Sequence, residues 1–169
     1  MREWRMVRAV PGEVAEVARI LNAAAAWLRG RGIRQWPEFS EDFLMPAIER
    51  GETRLVYGAD PSPVATLTVD HVDAAWGDRP ADASYIHRLA TTVRGSGLGS
   101  WILTRVADEA RLQGRSAVRL DCVASNVALC SYYERRGFVR AGIVAVGGKP
   151  GERSDGGTRT LVQRYELLF

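Results

Sequence analysis

The residues best suited to chemistry stand between positions 84 and 138. Arg94-Gly95-Ser96-Gly97-Leu98-Gly99-Ser100 lies between a stretch of strand character and an amphipathic run. Three glycines in five positions let a backbone turn tightly and approach a ligand closely. A helix opening there would offer unpaired N–H groups and the positive end of its dipole to an anion. Successive N–H groups in such a turn form a concave anion nest, which suits a pyrophosphate. A P-loop would need a lysine after the last glycine, and none follows. A dinucleotide fingerprint would need GxGxxG, whereas the spacing here is GxGxG, and Asp121 sits at the wrong end of the next strand to serve as its acidic partner. A glycine-rich strand-to-helix turn without a ligand is the remaining reading of the loop alone.

Other reactive side chains are sparse. Cys122 and Cys130 form no CxxC pair, and His71 and His87 supply no zinc spacing, so no metal site is expected. Cys130 reads as a small buried residue rather than a nucleophile.

The elements that must position the loop follow from periodicity. Residues 5–9 read as a short strand. Pro11 opens a helix in which Val14, Val17, Leu21, Ala24, Ala25 and Leu28 recur at helical spacing, stopped by Gly30 and Gly32. Ser40 is the expected N-cap of a second helix ending at Gly51. Thr53–Gly58 and Pro63–Val69 read as a hairpin around Asp60-Pro61-Ser62. Residues 71–82 are polar, with Pro80, and read as a long exposed loop. A strand over Ser84–Thr91 leads into the glycine loop, and a helix over about 97–113 follows, ended by Gly114. Ala117–Val123 is a strand, Asn126 caps a helix to about Arg136, and strands over 137–146 and Thr160–Leu168 flank a loop at 147–157. The units 84–123 and 117–146 argue for parallel pairing, and the hairpin for antiparallel pairing beside it.

Bulk properties fit one soluble domain. The chain has 169 residues, 46% apolar and 25% charged, enough for a sizeable core. No run of about 18 apolar residues suggests a membrane helix, and the N-terminus lacks the pattern of a secretory signal. The expectation is a cytoplasmic protein with no membrane partner. The net charge of +3 is mild, with arginine dominant and Lys149 the single lysine. No basic block suggests nucleic acid, and a positive cleft for an anionic ligand accounts for the excess.

The loop and a second segment together resemble a family. Arg94–Gly99 matches the Arg/Gln-x-x-Gly-x-Gly/Ala signature of the GNAT (GCN5-related N-acetyltransferase) superfamily. One strand downstream, Asn126 to Phe138 is similar to the family's second motif, with Asn126, Tyr133, Glu134, Gly137 and Phe138 in register. Residues 26–37 resemble a segment of small actinobacterial members of unknown substrate. The resemblance implies an α/β fold with a mixed, mostly antiparallel central sheet flanked by helices on both faces, as a single domain over residues 1–169. It implies acetyl-CoA as cosubstrate, without a metal. Backbone groups of Leu89, Ala90 and Thr91 would bond pantetheine, the N–H groups of Gly95, Ser96, Gly97, Leu98, Gly99 and Ser100 would hold pyrophosphate, Arg94 would meet a phosphate, and Asn126 would reach the cofactor arm. One departure stands out: only Thr92 and Val93 separate Thr91 from Arg94, where many relatives have a loop two residues longer.

The implied reaction is direct attack of a primary amine on the acetyl thioester. Tyr133 matches the family's general acid, and a phenol with an ordinary pKa near 10 holds its proton at neutral pH; packing beside Phe138 is the alternative role. Tyr132, about 100° around the helix, is expected to face elsewhere. His87, with an ordinary pKa near 6.5, is the candidate base, with Asp121, Tyr85 or a water chain as alternatives. An N–H near Ala90 would meet the oxyanion. Trp27, Trp36 and Trp76 are candidate walls for the acceptor, although helical Trp27 reads rather as core. A small-molecule amine is the expected acceptor, and a homodimer is compatible with the family. A non-catalytic acyl-CoA sensor and an enzyme acting on ribosomal protein or tRNA are the competing readings.

Overall fold

The computed structural model describes residues 3–147 and 159–169. In chain order the elements are β1 (Arg5–Arg8), a 3₁₀ turn (Pro11–Glu13), α1 (Val14–Arg29), α2 (Glu41–Glu49), β2 (Thr53–Tyr57), β3 (Pro63–Asp70), a second 3₁₀ turn (Ala74–Trp76) and β4 (Ala83–Thr91). They continue with α3 (Leu98–Leu112), β5 (Ala117–Val123), α4 (Val127–Glu134), β6 (Val139–Val146) and β7 (Thr160–Leu168). The boundaries have local causes. Ser40 caps α2 by accepting from the Phe43 N–H at 3.2 Å. Gly114 leaves α3 with a φ of +72°, a conformation that favours glycine.

The strands form one sheet in the order β1-β2-β3-β4-β5-β7-β6. Neighbours are antiparallel except β4 and β5. The expected parallel pairing across 117–146 is not made. β7 inserts between β5 and β6 and pairs antiparallel with both.

Alternation along the strands divides the core between the two faces of the sheet. Val56, Leu67, Ile86, Val118, Leu120 and Tyr165 pack under α3 and α4, with Ile102 and Val106 among the best-buried helix residues. Leu55 and Ala90 pack against α1 and α2. A third cluster corrects the reading of 71–82 as an exposed loop. Its 3₁₀ turn carries Trp76, only 1% exposed, against Ala83, Tyr85, Ala117 and Ala141. One large anchor overrides the polarity of its neighbours.

Two features of β4 shape the site. β4 pairs with β5 only from Ala83 to Tyr85, opposite Ala117 to Arg119. Beyond Tyr85 the two strands part, and the β5-facing backbone of β4 has no strand partner. Against β3, Thr68 lies opposite His87 and Thr66 opposite Ala90, so β4 carries one extra residue there. Arg88, with a φ of +50°, is the single non-glycine residue of positive φ among the described residues. The bulge resets the alternation, so Leu89 packs toward α3 and α4 while Ala90 packs toward α1 and α2.

Candidate active site

The glycine loop crosses the mouth of the opening between β4 and β5. Gly95 and Gly97 have φ of +68° and +82°, and a Cβ at either would meet open space rather than protein. Backbone conformation, not crowding, therefore selects glycine at both positions. Gly97 is the N-cap of α3. The Leu98 N–H donates to Ser96 Oγ at 3.3 Å, whereas the N–H groups of Gly99 and Ser100 lie in the first helical turn, where no intrahelical acceptor exists. The result is a concave, N–H-lined cradle with room for an anion. β4 continues through Thr91, so the link to Arg94 is short.

The second segment packs onto this cradle. The Tyr132 hydroxyl sits so close to Gly99 that a Cβ there would collide with it. Arg136 stacks over the Tyr132 ring, 3.4 Å from its centroid, and donates to the Tyr132 carbonyl at 3.0 Å. Tyr133 is 6% exposed and packs against the rings of Tyr132, Phe138 and Tyr165. Glu134 accepts from the Tyr165 hydroxyl at 2.8 Å and from Arg140 Nε at 2.7 Å. These bonds hold its carboxyl below the ordinary range, the Arg140 bond first. Asn126 caps α4 by accepting from the Leu129 N–H at 3.2 Å.

A cleft of about 520 Å³ runs through the opening. It is lined by Ile86, Arg88, Leu89 and Thr91 of β4, by Arg94 to Gly99, by Leu120 and Asp121 of β5, and by Leu129, Tyr132, Tyr133 and Arg136. Trp27, Gln35 and Trp36 close it from the α1 side. The structure thus brings together Leu89, Thr91, the glycine loop and Tyr133. Ala90, Ser100 and Asn126 stand outside the lining.

The aromatic expectations need correction. Tyr132 faces the same cleft as Tyr133, because the cleft wraps around more than the 100° that separates neighbours on a helix. Trp27 is 40% exposed rather than core. Arg94 and Arg31 lie over its ring at 3.6 and 4.2 Å from the centroid, a sandwich that stabilises an exposed indole. Trp36 lines the cleft, but Trp76 does not; it is buried beneath Arg119 and Arg164.

His87 alternates with Ile86 and so faces the opposite side of the sheet from Tyr133's cluster. It borders a second cavity of about 300 Å³, with Asp73, Asp121 and Arg159. Asp121 lines both spaces. His87 Nε2 lies 3.1 Å from Asp70 Oδ1, and its Nδ1 lies 3.9 Å from Asp73 Oδ2. Sequence reasoning had no signal for either aspartate, since both reach His87 from other elements. Burial raises the Tyr132 hydroxyl above its ordinary pKa, against the opposing influence of Arg136, so it keeps its proton at neutral pH. Among the described residues no group of three or more His, Cys, Asp or Glu side chains is placed to hold a metal ion, and no helix is long and apolar enough to cross a membrane.

The chain resembles known proteins in both sequence and fold. The sequence profile of the acetyltransferase (GNAT) family matches residues 20–138. The uncharacterized N-acetyltransferase YesJ of Bacillus subtilis (strain 168) is 32% identical over 151 residues, covering 82% of this chain and 83% of YesJ. A GNAT-family acetyltransferase from Listeria monocytogenes has the same fold, with a TM-score of 0.73 at 20% identity over 97% of this chain and 95% of its own. YncA from Salmonella typhimurium, solved with its cofactor acetyl-CoA, gives 0.68 at 15% identity over 98% of this chain and 93% of its own.

Proposed function

The chain belongs to the acetyltransferase (GNAT) family and is an acyl-CoA-dependent N-acetyltransferase; from that premise we propose that it transfers acetyl from acetyl-CoA to a primary amine of a small molecule, in one ternary complex. The carrying observation is the cleft that passes through the parted strands, with an N–H cradle at one end and titratable groups on both faces of the sheet. The bound acetyl-CoA of YncA supports the choice of cosubstrate.

Acetyl-CoA supplies an activated thioester. Gly95 to Ser100 hold the pyrophosphate by backbone N–H groups, aided by Arg94. The unpaired edge of β4 at Leu89 to Thr91 bonds pantetheine as an added strand would be bonded, and an N–H near Ala90 steadies the oxyanion. In this reading Asn126 acts on the cofactor arm through the helix it caps. His87 takes a proton from the incoming ammonium on one face of the sheet, and the neutral amine so formed attacks the thioester carbon. Tyr133 gives its phenolic proton to the departing thiolate on the other face, and the second proton shed by the nitrogen passes through solvent to restore the phenol. The carbon–sulfur bond breaks as the carbon–nitrogen bond forms, leaving an amide and free coenzyme A thiol. We read residues 1–169 as one such domain working in the cytoplasm, where its two free thiols suit a reducing compartment.

A thiol-release assay with acetyl-CoA against polyamines, amino acids, aminoglycosides and peptide N-termini tests the acceptor class. Turnover with a small amine alone is expected. Turnover confined to protein or tRNA acceptors would overturn it.

A further inference from the structure

The hydrogen bond that reaches His87 from β3 has no part in the chemistry above. Asp70, at the end of β3, pairs with Tyr85 across the strands, two residues from His87 along β4. That diagonal is within reach of a long side chain. The His87 side chain is 14% exposed and that of Asp70 24% exposed, so the bond is shielded from solvent. A carboxylate only accepts, so in the neutral ring Nε2 carries the hydrogen toward Asp70 and the lone pair lies on Nδ1. Nδ1 is the nitrogen that faces Asp73, at a distance too long for a hydrogen bond. The Asp73 carboxylate is itself fixed, because its Oδ1 accepts from the Ala75 N–H at 2.9 Å.

We propose that Asp70 is a positioning residue for acetyl transfer: it holds the His87 ring through Nε2, with Nδ1 as the basic atom, on the wall of the cavity that shares Asp121 with the donor cleft. This rests on the reading of His87 as the base. The acceptor's ammonium loses a proton to Nδ1, and no other bond changes in that step. The imidazolium so formed stands between Asp70 and Asp73. Among the described residues, the other charged groups near it are Asp121 of β5 and Arg159 before β7 across the cavity, neighbouring Arg88 on the bulge, and Arg50, whose charge is felt at Asp70. Asp70 and Asp73 thus flank the ring, and Asp121 borders the same cavity.

The test is the pH profile of kcat/KM for the amine in Asp70→Asn, His87→Gln and the double variant, with acetyl-CoA affinity measured for each. Asp70→Asn is expected to lower kcat about tenfold or more and to move the acidic limb to lower pH, because the imidazolium loses a stabilising charge. Acetyl-CoA affinity should stay within about twofold, since Asp70 is outside the donor cleft. In the His87→Gln background the Asp70 change should cost no further rate. Asp70→Glu, which keeps the charge, should keep the limb in place. A His87→Gln enzyme with wild-type rate and limb would overturn the base reading and this proposal with it. Loss of the limb in His87→Gln alongside a wild-type profile in Asp70→Asn would overturn the positioning role alone.

Discussion

Among single residues, Tyr133 is the one on which the proposed transfer most depends. Its ring is buried among Phe138, Tyr165 and Tyr132, and its helix neighbour Glu134 is tied to β7 through Tyr165. In the proposed reaction a ring held this firmly needs no reorganisation to donate its proton to the leaving thiolate. Tyr133→Phe is therefore expected to lower kcat by about a hundredfold or more, while acetyl-CoA affinity stays close to wild type. Steady-state kinetics with parallel binding titration checks this, and an unchanged kcat would remove Tyr133 as the acid. The glycine loop and Tyr133 were readable in the sequence because their spacing is local. Trp27 was not, because helical periodicity cannot see that Arg94, far along the chain, covers its ring. Trp76 was hidden by the polar residues around it, and Asp70 and Asp73 meet His87 only through the fold.

At the element scale, the β4–α3 turn must keep left-handed backbone at two glycines. Gly97→Ala forces an L residue into φ near +82°, at a cost of about 1–2 kcal/mol, and a lowered melting temperature should show it. Gly97→Glu adds a bulky anion to the open cradle, and loss of acetyl-CoA binding is expected by calorimetry. α3 is also tied to the sheet. Arg54 of β2 grips Glu109 with bonds of 2.5 and 2.8 Å, holding that carboxyl below its ordinary pKa, the hydrogen bond first. The lowered folded value means the contribution is present above the ordinary glutamate pKa of about 4.3 and is lost as pH falls through the folded value. Glu109 is 39% exposed, so screening reduces the expected loss in Glu109→Gln to about 0.5 kcal/mol at neutral pH. Chemical denaturation at pH 7 should show that difference, and it should shrink on acidification. Element types and order were legible from periodicity and caps, as Ser40, Asn126 and Gly114 show. The extra residue at Arg88 was not, since no local pattern marks a bulge whose register is set by Thr66 and Thr68 on the neighbouring strand.

At the scale of the whole molecule, the site exists because one pair of strands stops pairing. β4 and β5 are held together from Ala83 to Tyr85 and parted beyond, and α3 and α4 on one face and α1 on the other border the gap. The insertion of β7 beside β5 keeps β5 in place while its other edge is open. This long-range arrangement was legible only through the family resemblance; strand–helix–strand order alone pointed to a parallel pairing of 117–146 that β7 prevents. In the proposed function this gap brings acetyl-CoA to an amine. The most direct measurement is amine-dependent release of coenzyme A thiol, with a small primary amine as acceptor, by the wild-type protein beside Gly97→Glu. Steady turnover is expected in the first and background release in the second. Tight acetyl-CoA binding by the wild type without release above background, or equal turnover in both proteins, would contradict that function.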